Sequence, residues 1–118
     1  MTLPRHITAP RKARRVLDGL SGLSQGSREL LALLTSEVVA NAVEHGSGDE
    51  IELRATTTAR GFLLVAVESE AGGGWPHVSR DPTRGFGLRF VQKVALRWGT
   101  ERVEDRTVVW FFIAPDLV

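Results

Sequence analysis

Cysteine is absent from this chain. Disulfide frameworks, thiolate zinc sites and cysteine nucleophiles are therefore excluded, and a reducing cytoplasm is the expected compartment. No apolar run approaches the roughly 20 residues that span a bilayer, so no membrane segment is expected. The basic N-terminus lacks the apolar core of a secretion signal. A dominant charge is missing too: 15 Lys+Arg against 14 Asp+Glu leave a net +1, which by itself argues for no polyanionic partner. There is no G-x-x-x-x-G-K-[ST], hence no Walker A loop. The glycines at 85 and 87 lack the third member and the strand–turn–helix unit of a dinucleotide fingerprint. Repeats, linkers and low-complexity tracts are also missing. The 118 residues fit a single domain that can bury a core without staples.

Local charge is less even. Arg5, Arg11, Lys12, Arg14 and Arg15 stand in residues 1–15 with no acid among them. A contact with nucleic acid or an acidic protein is one reading. No aromatic is interleaved with these charges, so a solvated helix start is the better reading, and nucleic acid is not an expected partner.

Residues 1–9 read as extended, broken by Pro4. Pro10 suits the first turn of a helix running to about Leu20, with Ala13, Val16, Leu17 and Leu20 inward. Residues 24–27 offer caps for a second helix, stopped at Gly46. The alternation over 51–58 gives a strand with one wet face, and 59–61 a turn. Residues 62–67 are more continuously apolar, which marks a central strand. A non-periodic segment of about sixteen residues follows, a length that is usually functional or disordered. Gly85-Phe-Gly87 opens a third helix with Leu88, Val91, Val94 and Ala95 as its stripe. Strands over 100–104 and 107–114 close the chain, the second apolar enough to be central. The expected fold is α+β: a two-layer sandwich whose mixed, mostly antiparallel sheet has helices on one face.

The second helix carries the first chemical signal. Leu31, Leu34, Val38 and Ala42 form its apolar stripe, and Glu37 and Asn41, four apart, flank that stripe about one turn from each other. A neutral amide buried there unpaired would cost about 1–3 kcal/mol, and a charge more. Either both groups reach water or a ligand or metal partners them. Two glycine clusters give the second signal. Glu70-Ala-Gly72-Gly-Gly74 follows a central strand, and Gly85-Phe-Gly87-Leu88 sits at a helix N-terminus, where free N–H groups and the dipole favour an anion such as phosphate.

In this order the motifs resemble the GHKL ATPase superfamily, and more narrowly the small stand-alone bacterial anti-sigma-factor serine/threonine kinases. Glu37-Val-Val-Ala-Asn41-Ala-Val-Glu-His45-Gly46 is similar to the N box. Glu70-x-Gly72-x-Gly74 is similar to the D-x-G-x-G box, Arg84-Gly85-Phe86-Gly87-Leu88 to the G-x-G-L box, and Thr107-Val-Val-Trp110 to the closing strand. The resemblance covers about residues 8–114 of a single domain. It implies ATP and Mg2+ as cofactors, with Asn41 holding the metal and Glu37 as general base. It places the phosphates on Gly85, Gly87 and Leu88, with Arg84 adding positive charge, and makes 75–84 a lid. Thr107 joins the hydrogen bonds at the adenine, and Ala42, Val67 and Val109 wall the base. The family's acid at the first glycine box is aspartate. Here Glu70 takes its place by motif, whereas strand parity puts Ser69 on the inward side. The implied activity is phosphoryl transfer to a serine or threonine of an antagonist protein, with sequestration of a sigma-like factor and thus transcription regulation. Relatives often form homodimers. A non-catalytic binding module that keeps the fold is the alternative.

Other groups read more plainly. His45 is a helix-end residue, and His6 and His77 make no metal site together. Gly22-Leu-Ser24-Gln-Gly26 spells G-x-S-x-G, but it lies between two helices and reads as a turn and cap. Trp98 and Trp110 are expected in core or interface, and Trp75 toward solvent.

Overall fold

Ser24 starts the helix that the rest packs against. Its extended backbone and its Oγ, which accepts the Ser27 N–H at 3.1 Å, make it an N-cap. The tail locks onto the same turn, since Ser27 Oγ donates to Ala114 O at 2.7 Å and accepts from Leu117 N at 3.0 Å. The G-x-S-x-G string is therefore a cap and a tail anchor.

The computed structural model describes residues 1–70, 74–77 and 87–117. Its elements are β1 (Thr2–Pro4), α1 (Ala9–Leu17), α2 (Gln25–His45), β2 (Ser47–Thr57), β3 (Leu63–Glu70), α3 (Gly87–Val94), β4 (Arg97–Val103) and β5 (Arg106–Ile113). Among the described residues the sheet has five strands in the order β1-β2-β3-β5-β4. Every neighbouring pair is antiparallel. The two strands expected to be central, β3 and β5, are adjacent inside the sheet. Their alternation of buried and half-buried residues shows why 63–67 and 108–113 are continuously apolar: one face meets helices and the other is also apolar there.

The N-terminal segment is extended as expected over residues 2–4, whereas residues 5–8 form bends and turns that lead into α1. Residues 2–4 are paired, Leu3 opposite Ile51, on the sheet edge. An edge strand tolerates Pro4, which has no N–H to give. The β2 strand starts at Ser47 rather than 51, with a register shift between Ser47 and Glu52. Such a bulge bends the strand and interrupts its alternation, so periodicity alone misses its first turn.

Leu31, Leu34, Val38 and Ala42 are fully buried, as are Val65, Val67, Val109 and Phe111 from the sheet. Each such large side chain contributes about 1.5–3 kcal/mol by leaving water. α1 packs on α2 through Ala9, Ala13 and Leu17, and α3 also packs on α2. Among the described residues no helix is long and apolar enough to cross a membrane.

Arg5 leaves the solvated basic set. Its Nε donates to Gly48 O at 2.6 Å and its Nη1 to Val43 O at 2.7 Å. This puts a fixed cation at the C-terminal end of α2, where the helix dipole favours it. Arg5→Ala should lower stability by about 1.5–3 kcal/mol, the range for bonds to a charged group. Arg5→Lys should not restore it, because an ammonium lacks the planar fork. A urea midpoint unchanged in Arg5→Ala would refute this role.

Candidate functional site

Gly46 decides how close α2 comes to β3. A methyl group there would lie 2.5 Å from Ala42 O and 2.5 Å from Ser69 Oγ, so only glycine permits the approach. The end of α2 is thereby pressed against the end of β3. Ser69 is fully buried on the helix side, directly opposite Thr107 of β5, which is buried too. The Ser69 hydroxyl has only long contacts, 3.5 Å to Ser47 O and 3.4 Å to Glu70 O.

Glu70 lies on the other side of the strand. Its carboxylate passes over Gly48, where a methyl group would come within 2.5 Å of Oε2 and where φ is +78°. It lines a cavity of about 280 Å³ with Asp49, Glu50, Glu52 and Arg106, away from α2. Of the two alignments open at the first glycine box, the geometry follows strand parity. Ser69 holds the inward position, and the Glu70 carboxylate lies on the opposite side of the strand, over Gly48.

Ala42, Val67 and Val109 are all fully buried beneath this junction. Asn41, at 9 % exposure, has its amide satisfied in both senses. Its Nδ2 donates to His77 O at 2.8 Å, and its Oδ1 accepts from His77 N at 3.0 Å. The His77 ring lies against that of His45, with centroids 4.4 Å apart and planes tilted by 32°. Trp75 is not solvent-facing as expected. It is 4 % exposed, and its Nε1 donates to Thr107 O at 3.1 Å. These links to residues 74–77 had no sequence signal, because they use backbone groups and a side chain in a segment without periodicity.

Glu37, one turn before Asn41 on α2, is half-buried and makes no hydrogen bond or ion pair to a described residue. Burial pushes its carboxyl above the ordinary value, because a desolvated carboxylate resists ionisation. It therefore holds a proton more readily than a surface glutamate, which suits a group that accepts one. Leu88 is buried at the start of α3, and Gly87 is that helix's first residue. Gly74 is described and exposed, with φ +93°. Gly72, Arg84 and Gly85 lie outside the described residues, as does most of the lid expected over 75–84.

Among the described residues no group of three or more His, Asp or Glu could hold a metal alone. Magnesium bound to phosphates needs only one or two protein oxygens. Asn41 Oδ1 spends one lone pair on His77 N and keeps a second, so the donor fits that ion.

A family model described as "Histidine kinase-like ATPase domain" matches residues 3–113. Solved structures are also similar. The chain carrying the RsbU and RsbW domains of Rv1364c from Mycobacterium tuberculosis aligns with a TM-score of 0.69 and 18% identity, covering 100% of this chain and 34% of that one. The histidine kinase domain of the blue-light activated histidine kinase EL346 from Erythrobacter litoralis aligns with a TM-score of 0.61 and 20% identity, covering 96% of this chain and 62% of that one. A second structure of EL346 gives a TM-score of 0.61 and 21% identity, covering 96% and 42%. At these identities the likeness shows the fold. This chain spans about a third to three-fifths of those chains. No curated protein matches it.

The Glu37 environment has a pH signature. With its folded pKa raised, the folded state holds the proton more tightly than the unfolded chain. Stability then falls as pH rises from the unfolded value through the raised folded value. Glu37→Gln should be more stable than wild type at neutral pH, and the difference should vanish below the unfolded carboxylate range. A gain independent of pH would refute this account.

Proposed function

The chain belongs to the histidine kinase-like ATPase domain family, and from that premise we propose that it is an ATP-binding regulatory domain of the anti-sigma serine/threonine kinase type. The carrying observation is Glu37: a desolvated carboxylate without a described partner, one turn from the buried amide of Asn41. The base of ATP lies among Ala42, Val67, Val109 and Thr107, with Ser69 as the polar group at the end of β3. Asn41 would hold magnesium through its side-chain oxygen, and the ion would supply charge that offsets the phosphates. Gly87 and Leu88 begin the helix whose N-terminal amides, with Gly85 and Arg84, meet those phosphates. Glu37 takes the proton of the acceptor hydroxyl as that oxygen bonds to the γ-phosphorus. The bond from the γ-phosphorus to its bridging oxygen breaks, and ADP leaves.

The acceptor is a serine or threonine of an antagonist protein, and the domain sequesters a sigma-like factor when unphosphorylated antagonist is scarce. The likeness to a chain with RsbU and RsbW domains, and to histidine kinase domains, supports a regulatory ATPase-type site. A homodimer is part of this proposal.

A second reading is favoured by Ser69. A hydroxyl there replaces an acid, so the base loses a charged acceptor, a difference of about 1–3 kcal/mol or roughly 5- to 150-fold in affinity. On that reading the chain is a non-catalytic binding module that retains the fold. Calorimetric titration with ATP and magnesium separates the two. Weak binding that tightens about tenfold or more in Ser69→Asp supports nucleotide use. Glu37→Gln should keep that affinity and form no phosphoprotein with a candidate antagonist. If neither wild type nor Ser69→Asp binds ATP at millimolar concentration, the kinase reading is lost. Partner binding that survives Glu37→Ala, with no phosphoprotein from wild type, would establish the binding module.

A further inference from the structure

Residues 74–77 touch both ends of the nucleotide seat at once. Trp75 is buried and donates its indole N–H to Thr107 O at 3.1 Å, on the side assigned to the base. Two residues on, the backbone of His77 takes both hydrogen-bonding functions of Asn41, at 2.8 and 3.0 Å, on the side assigned to metal and phosphate. The His77 ring also rests on His45 at the end of α2. A flat bicyclic heteroaromatic ring with an edge N–H, followed by polar groups that engage Asn41, resembles a purine nucleotide in its order of contacts.

We propose that the 74–77 segment is an intramolecular stand-in for the nucleotide, a strap that closes the seat until ATP displaces it. The inference rests on the nucleotide reading above and goes beyond it by assigning a competitor within the chain. The physical case is one of matched needs. The buried amide of Asn41 requires partners, and His77 supplies them in the closed state. The indole fills an apolar site that water would occupy poorly, and its N–H finds the acceptor that a buried tryptophan needs. Ser69 has no charge with which to draw a base inward, so the balance tilts toward the strap. ATP binding must break the Trp75–Thr107 bond to admit the base, and the second lone pair of Asn41 Oδ1 lets that oxygen meet the ion as His77 leaves. The apparent affinity is then reduced by the fraction of molecules in which the seat is open.

Three proteins test this. Trp75→Ala removes the plug. Trp75→Phe keeps an aromatic ring, which guards against loss of folding in the alanine variant, and gives up the N–H together with the second ring of the indole. Trp98→Phe with Trp110→Phe leaves Trp75 as the sole tryptophan of the three in the chain. Titrated with ATP and magnesium by calorimetry, Trp75→Ala should bind about ten- to a hundredfold more tightly than wild type, the factor for a seat open in about 10 to 1% of molecules. Trp75→Phe should fall between the two. In the single-tryptophan protein, ATP should move the emission to longer wavelength as the indole leaves its buried site. Equal affinity in wild type and both variants would overturn the strap while leaving nucleotide binding in place. ATP binding without an emission change would do the same. If ATP binds to none of these proteins, the nucleotide seat falls and the strap falls with it as its gate.

Discussion

A buried amide cannot be left unpaired, and Asn41 is buried in the last turns of α2. Its position is fixed by α2, which cannot rotate without pulling Leu34, Val38 and Ala42 out of the core. The same helix phase holds Glu37 in a half-desolvated place one turn earlier, where its carboxyl is reluctant to ionise. The polar pair therefore follows from the hydrophobic stripe. What satisfies Asn41 is not fixed in the same way, since a backbone segment or a ligand can do it. That freedom is what lets a ligand compete for this end of the fold in the proposed function.

The sheet supports the arrangement through its two unlike faces. The inward face of β3 and β5 presents Val65, Val67, Ser69, Thr107, Val109 and Phe111 to the helices. The outward face carries Leu64, Ala66, Trp110 and Phe112 in cross-strand register, then the Glu68–Arg106 ion pair at 2.9 Å. Trp110 lies over Gly99 of β4, where a methyl group would come within 2.6 Å of its ring. Both faces are apolar near one end and polar near the other. A single step along the strand, from Ser69 to Glu70, therefore moves a side chain from the helix side to the opposite surface.

This explains what was legible beforehand. Helical spacing in α2 fixed the neighbourhood of Glu37 and Asn41, because a stripe of four apolar residues admits only one phase. Continuous apolarity marked β3 and β5 as inner strands. Strand parity alone favoured Ser69 where the glycine motif favoured Glu70, and the period of two is the stricter constraint. β1 was not readable as a strand: three residues with a proline have no periodicity, and only their pairing with β2 defines them. The bulge hid the start of β2 for a related reason. The burial of Trp75 and the backbone bonds of His77 were beyond reach, since no local pattern says where an irregular segment returns.

The serine and the tryptophan are best understood together. An acid in place of Ser69, fully buried with only long hydrogen bonds around it, would be costly in the absence of a ligand. A serine lowers that cost and lets the closed arrangement exist with the indole beside Thr107. The exchange weakens attraction for a base and stabilises the ligand-free state, and both effects push in the same direction. On the proposed nucleotide reading, such a seat fills at higher nucleotide concentration than an acid-bearing seat would. In the function proposed above, that shift raises the nucleotide level at which the seat fills and leaves the residues assigned to phosphoryl transfer unchanged.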